Sequence, residues 1–124
     1  MSTRSLIGKL NPNNTVDFIY CHFDGYPSGA GSTLNKHYTS PSEVDKLLAL
    51  GDLRSLNIDI ESSVAYGRDG NKPNTQAEVN MPLDIFLSMD YRGEDYKYLF
   101  GTNGHWECFM HDGTPVDLEL KIEN

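Results

Sequence analysis

The sequence predicts an α+β fold with an N-terminal β-hairpin, two short helices and a mostly antiparallel sheet that ends in a β-meander. Apolar and polar residues alternate in segments near both ends of the chain, which is the periodicity of half-buried strands. A set of helix start and stop signals lies between them, at 40–51, and dense turn sequences separate the alternating segments. A chain of 124 residues is the length of one domain, so we expect 1–124 to fold as a single unit.

The first two strands are predicted to form the hairpin. Leu6, Ile7 and Leu10 begin the first strand, and Asn-Pro-Asn-Asn at 11–14 is a turn sequence. The second strand covers 16–23. Side chains on one of its faces are Val16, Phe18, Tyr20 and His22, and those on the other are Asp17, Ile19, Cys21 and Phe23.

Two helices follow the hairpin. Residues 26–31 are rich in Gly, Pro and Ser and predict a loop, and a short helix is expected at 32–38. The helix at 41–50 has the clearest signals, because Ser40 is a favourable N-cap and Glu43 completes a capping box. Pro41 suits the first helical position, and Gly51 supplies the C-terminal stop.

The remaining segments are predicted mainly as strands. Alternation at 56–61 indicates a half-buried strand, 64–66 a short strand, and 68–75 a polar loop. Residues 79–89 fit either a strand or a short helix that begins near Pro82, and we favour the helix. The meander comprises strands at 96–100, 105–111 and 116–121, the last with Val116, Leu118 and Leu120 on one face.

The charge of the chain is strongly negative and unevenly distributed. The net charge is −8, and residues 84–124 contain nine acids and three bases. This balance argues against general capture of nucleic acid, which needs cations to neutralise phosphates. An acidic face instead suits a basic protein partner, although a solvated surface is the ordinary explanation. The predicted partner-binding residues are Asp90, Glu94, Asp95, Asp117 and Glu119.

A polar pocket is predicted where the second strand ends. His22 and Asp24 share a strand face, Gly25 permits a reversal, and Arg4 is positioned to pair with Asp24 if the first strand lies against the second. A structural ion pair is the simpler interpretation, and a site for an anionic small ligand is the alternative. The pocket residues are Arg4, His22, Asp24, Tyr26 and Tyr38, with Arg68 as a further wall.

A structural zinc ion is a further interpretation of the His and Cys residues. The candidate ligands are His22, Asp24, Cys108 and His111, and Cys108-x-x-His111 has a spacing that zinc sites use. Such a site needs irregular backbone, because residues three apart on a straight strand face opposite sides. Cys21 and Cys108 are more often small core residues than ligands.

The first half of the chain resembles a family of small phage and prophage proteins. The resemblance rests on Ser-Thr-Arg-Ser at 2–5, Tyr-Cys-His-Phe-Asp-Gly-Tyr-Pro at 20–27, Gly31, His-Tyr at 37–38, and Leu-Gly-Asp at 50–52. It implies a mobile-element context in which small acidic proteins act against bacterial defences. No agreed activity comes with the family.

Two functions from different classes follow from this context. The first is a non-enzymatic anti-CRISPR inhibitor of the type II effector nuclease that blocks DNA engagement by binding a basic surface of the host defence protein. The second is a small-molecule binder that sequesters a nucleotide immune signal, of the cyclic nucleotide or cyclic ADP-ribose type. No recognisable catalytic set and no apolar run of membrane-spanning length are present in the sequence, so we expect a non-enzymatic protein in the host cytosol.

Overall fold

The computed structural model describes residues 3–67 and 75–117, which form one eight-stranded sheet with helices on both faces. The strands are β1 (Ser5–Leu10), β2 (Thr15–Cys21), β3 (Leu53–Ser55), β4 (Val64–Ala65), β5 (Glu78–Pro82), β6 (Tyr96–Phe100), β7 (Trp106–Met110) and β8 (Pro115–Val116). The helices are α1 (Ser32–His37), α2 (Pro41–Ala49) and α3 (Leu83–Ser88). The predicted α+β fold, with its N-terminal hairpin and mostly antiparallel sheet, is confirmed.

Strand β1 connects the two halves of the sheet. The strand order is β4-β3-β2-β1-β6-β7-β8, and β5 also pairs with β2. β1 is antiparallel to β2, as the hairpin prediction requires, and parallel to β6 on its other edge. The hairpin turn places Asn14 at φ +66°, a left-handed conformation that asparagine tolerates. The N-terminal and C-terminal segments therefore meet in the middle of the sheet.

Alternation along the strands divides the core into two clusters, one on each face. On the first face, Ile7, Ile19 and Tyr98 pack under α1 and α2. On the second face, Leu6 and Phe18 pack under α3. The alternation predicted for residues 16–21 is confirmed, because Ile19 and Cys21 lie in the first cluster and Val16, Phe18 and Tyr20 lie in the second. Both faces of this central strand are therefore covered.

Helix α2 has the cap that the sequence predicts. The Ser40 hydroxyl accepts a hydrogen bond from the Glu43 amide at 3.3 Å, and Pro41 is the first helical residue. Gly51 follows the helix at φ +79°, which favours glycine. Lys9 of β1 forms an ion pair with Asp45 at 2.7 Å, so α2 is also tied to the sheet by charge.

Three segments differ from the predictions. Residues 26–31 are mostly not a loop, because Pro27–Gly31 forms a π-helical turn that leads directly into α1. Residues 56–61 are not a strand but a turn-rich loop, and the observed strand β3 lies just before them. Residues 79–89 adopt both proposed structures in succession, since strand β5 ends at Pro82 and α3 begins at the next residue.

Some predictions fall outside the described residues. They are most of the polar loop at 68–75, the strand positions Leu118 and Leu120, the pocket residue Arg68 and the acidic residue Glu119. Across the described segments, none of the helices combines the length and apolarity that crossing a membrane requires.

Candidate functional site

The structure places Tyr38 apart from Arg4 and His22, with which the predicted anionic pocket groups it. Tyr38 is buried in the cluster under α1 and α2, where its hydroxyl donates to the Asn57 carbonyl at 2.9 Å. Tyr20, whose hydroxyl bonds His22, belongs to the cluster on the opposite face. Tyr26 is 40% exposed. The grouping of Tyr38 with Arg4 and His22 in one pocket is therefore wrong, since Tyr38 and the Tyr20–His22 pair lie on opposite faces of the sheet.

The predicted Arg4–Asp24 ion pair is also replaced by other contacts. The Arg4 side chain donates to the Arg92 carbonyl at 3.3 Å. Asp24 is exposed and has φ +57°, and its carbonyl accepts from the Ala30 amide at 2.9 Å. Asp24 thus helps to form the turn before α1, and Arg4 is directed toward the segment before β6.

A compact polar cluster forms instead around Asp52, at the start of β3. Its carboxylate accepts from the Tyr20 amide at 3.0 Å through Oδ1 and from Arg92 Nη1 at 3.0 Å through Oδ2. The Asp52 side chain is 5% exposed and that of Arg92 is 43% exposed. Gly51 turns the chain out of α2, so the sequence directly after the helix places Asp52 beside β2. The result is a half-buried ion pair with an open side.

Two tyrosine rings flank the same guanidinium. The Arg92 guanidinium carbon lies 5.1 Å from the centroid of the Tyr20 ring and 4.9 Å from that of the Tyr91 ring. Both distances are within the range of cation–π attraction. The Tyr91 hydroxyl donates to the Glu78 carboxylate at 3.3 Å. We call Tyr20, Asp52, Glu78 and Tyr91 the cation cage.

Burial and charge set the electrostatics of the cage. Desolvation raises the pKa of the Asp52 carboxyl, while the Tyr20 amide and the Arg92 guanidinium oppose that rise. Desolvation also raises the pKa of Tyr20 and of Tyr91, so both rings stay neutral at physiological pH. The cage therefore offers two neutral aromatic faces and two acidic groups, an arrangement that suits a delocalised cation.

Arg4 fixes the segment that carries Arg92. Besides the bond to the Arg92 carbonyl, the Arg4 amide donates to the Asp95 carboxylate at 3.2 Å. The Arg4 carbonyl accepts from the Asp95 amide at 2.8 Å. Gly93 lies within this segment at φ +74°. Arg4 thus has a structural role in positioning the loop before β6.

The structure does not bring the predicted zinc ligands together. His22 follows β2, whereas Cys108 lies on β7, and β1 and β6 lie between these strands. Three strand spacings correspond to about 14 Å. Within 3–67 and 75–117, no three His, Cys, Asp or Glu side chains are grouped so that they could hold a metal ion. A structural zinc ion stays a prediction, and elemental analysis of purified protein is its test.

Both cysteines are buried thiols. Desolvation raises the pKa of Cys21 to about 12 and that of Cys108 to about 12. Neither thiol is ionised to a useful extent at neutral pH, and the thiolate is the reactive form. These positions match the prediction that the cysteines are small core residues.

Three of the acids predicted for the partner-binding face lie at the surface. Asp90, Asp95 and Asp117 are exposed. Glu94 is 3% exposed, and its carboxylate accepts the Tyr91 and Arg92 amides, so its assignment to a partner-facing surface is wrong. Two further exposed acids lie on the α3 side of the sheet. Asp84 is on α3 itself, and Glu107 of β7 pairs with Leu99 of β6, whose side chain belongs to the cluster under α3.

One base close to the exposed acids, Lys97, is buried. The Lys97 side chain has no exposed surface, and its ammonium donates to the carbonyls of Leu87, Met89 and His111 at 2.6–2.9 Å. Glu94 lies 3.9 Å from it. Lys97 therefore neutralises Glu94 and the end of α3, and it adds no positive charge to the surface.

Comparison of the chain with protein-family models, curated proteins and solved structures finds no match. The resemblance to the phage and prophage family accordingly stays a prediction.

The residues of the cation cage are not among the sites that the sequence predicts. Asp52 appears there only within the Leu-Gly-Asp motif, and Tyr91 and Arg92 belong to no predicted site. One available signal was the position of Asp52 between a helix-stopping glycine and an apolar strand residue, where a carboxylate becomes buried. The partnership with Arg92 spans 40 positions of sequence and had no local signal.

Proposed function

We propose that this protein acts by binding, as an inhibitor that docks an acidic surface on a basic, nucleic-acid-binding surface of a host defence protein in the bacterial cytosol. The type II CRISPR effector nuclease is the most concrete target, as the family resemblance implies. Binding at such a surface would block DNA engagement without any reaction catalysed by this chain.

The observation that carries the proposal is the placement of charge on the α3 side of the sheet. Asp84, Asp90 and Glu107 are exposed there, and the Lys97 side chain is buried. Asp112 is exposed as well, and it is close enough to Lys97, as Asp90 is, to oppose the lowering of the lysine pKa by burial. Complementary charge of this kind steers a basic partner and makes association sensitive to salt.

The test is cleavage of a target plasmid by the guide-loaded type II effector nuclease, with and without this protein, at low and moderate salt. We expect inhibition that weakens as salt increases. For the variant Asp84→Lys/Glu107→Lys, the concentration that gives the same inhibition should be about ten times higher than for the wild-type protein, because two rim charges are reversed.

The matched control reverses the same number of charges elsewhere. Asp45 lies on α2, and Glu61 lines a cleft beside α2 on the other side of the sheet. Each double variant adds four charges to a net of −8 and leaves −4. Equal loss in Asp45→Lys/Glu61→Lys would show that only net charge matters. Absence of inhibition with every type II effector tested would refute the proposed target.

A second candidate function is favoured by one specific observation. Arg4 and Arg92 are adjacent, and both guanidinium groups act on the pKa of Tyr20. Two cations beside aromatic rings are a recognised arrangement for a phosphate-bearing ligand. Retention of a cyclic nucleotide or cyclic ADP-ribose by the wild-type protein, but not by Arg4→Ala, in gel filtration would favour this sequestering function.

A further inference from the structure

The cation cage is filled by a side chain of the same protein. Arg92 reaches into it from the segment between α3 and β6, and it contacts both tyrosine rings and the Asp52 carboxylate. We infer that the cage is an arginine-binding site, occupied in the free protein by Arg92, that accepts an arginine side chain of a partner in exchange.

The walls of the cage are held by contacts that do not involve the Arg92 side chain. The Tyr20 hydroxyl bonds His22 at 2.9 Å, and its amide bonds Asp52. The Tyr91 amide donates to the Glu94 carboxylate at 3.1 Å, and its hydroxyl donates to Glu78. The cage should therefore keep its shape when the guanidinium leaves.

Arg92 is attached in a way that permits exchange. Its backbone is fixed, since its amide donates to Glu94 and its carbonyl accepts from Arg4. Its side chain, by contrast, is 43% exposed and can swing out on a flexible stem. Replacing one guanidinium by another restores the same contacts with the rings and the carboxylate. The partner's additional contacts therefore decide whether Arg92 or the partner's arginine occupies the cage.

Once the Arg92 side chain has left, the remaining walls favour a guanidinium over an anion. The fixed groups are two aromatic faces, the buried carboxylate of Asp52 and the carboxylate of Glu78. A planar cation stacks on such rings and donates in a fork to a carboxylate. The partner's identity rests on the proposed function, because basic nucleic-acid-binding surfaces are rich in arginine.

The experiment measures guanidinium binding by the purified protein, without any partner. Methylguanidinium is titrated into Arg92→Ala while the ring signals of Tyr20 and Tyr91 are followed by NMR and the melting temperature is recorded. We expect saturable shifts at these two rings, with a dissociation constant on the order of millimolar for so small a ligand, and a melting temperature that rises with ligand.

Two controls make the result specific. Arg54 is exposed, and its guanidinium carbon lies 5.8 Å from the centroid of the Phe23 ring. Arg54→Ala therefore removes an arginine that contacts one aromatic ring outside the cage and leaves Arg92 in place. Arg54→Ala should show no saturable shift at Tyr20 or Tyr91. The variant Arg92→Ala/Asp52→Asn, which lacks the buried charge, should bind at least about tenfold more weakly.

Absence of saturable binding to Arg92→Ala, or the same response in Arg54→Ala, would overturn the inference whatever the nuclease assay shows. If Arg92→Ala does not fold, Arg92→Gln serves in the same titration, because its shorter neutral side chain leaves the cage without a cation. Because no nuclease is present, a negative result here leaves the proposed inhibition standing.

Discussion

At the scale of single residues, the buried carboxylate of Asp52 should contribute strongly to stability. Asp52→Ala leaves the Tyr20 amide and the Arg92 guanidinium without their acceptor, which should lower the free energy of unfolding by about 3 kcal/mol. Asp45→Ala removes an ion pair of similar distance whose carboxylate is 60% exposed, and it should cost about 0.5 kcal/mol. Urea unfolding measures both. Equal losses would show that burial of Asp52 contributes nothing.

The cysteine thiols give a residue-scale prediction about reactivity and pH. With pKa values of about 12, Cys21 and Cys108 should not react with a disulfide reagent at pH 8 until the protein is unfolded, when both should react. The thiol pKa is higher in the folded state, so the unfolded chain loses its thiol protons at lower pH. The free energy of unfolding should therefore fall as pH rises from about 9 to 12. Rapid labelling of native protein would contradict the burial.

At the scale of elements, Lys97 connects the end of α3 with the turn after β7. Lys97→Met keeps the length and apolar stem of the side chain but leaves three carbonyls and Glu94 without a cation. We expect the free energy of unfolding to fall by about 3 kcal/mol. Lys36→Met, at an exposed position of α1, should change it by less than about 0.5 kcal/mol. Thermal unfolding of the two variants and the wild-type protein measures the difference. A Lys97→Met variant as stable as the wild-type protein would mean that water satisfies these carbonyls.

Elements with local signals were predictable, and those that depend on distant contacts were not. The cap, proline and glycine around α2 are all local, and the prediction holds within a residue. The alternation at 56–61 failed because Asp59 and Ser62 satisfy each other within a turn, and Ile58 is left 61% exposed. The cation cage was not predictable because Tyr20, Asp52 and Tyr91 come from three separate segments.

At the scale of the whole molecule, protection from solvent should follow the order of strands. β1 is paired on both edges along most of its length, and β8 pairs with β7 at two positions. Amide hydrogen exchange should therefore be slowest in β1 and in the adjoining positions of β2 and β6, and fastest in β4 and β8. Exchange of Ile7 and Gly8 as fast as that of Val116 would show that the sheet opens from its centre.

The parallel pairing of β1 with β6 has a consequence during synthesis on the ribosome. β1 emerges well before β6, because the strand that covers its second edge follows about 90 residues later. At about 5–20 residues per second, that edge stays open for roughly 5–20 s, long enough for a chaperone or another nascent chain to pair with it. We expect a stalled chain ending before residue 96 to be sensitive to protease and a stalled chain with all 124 residues outside the ribosome to be resistant. Resistance of the shorter chain would show that the N-terminal hairpin and α2 fold without β6.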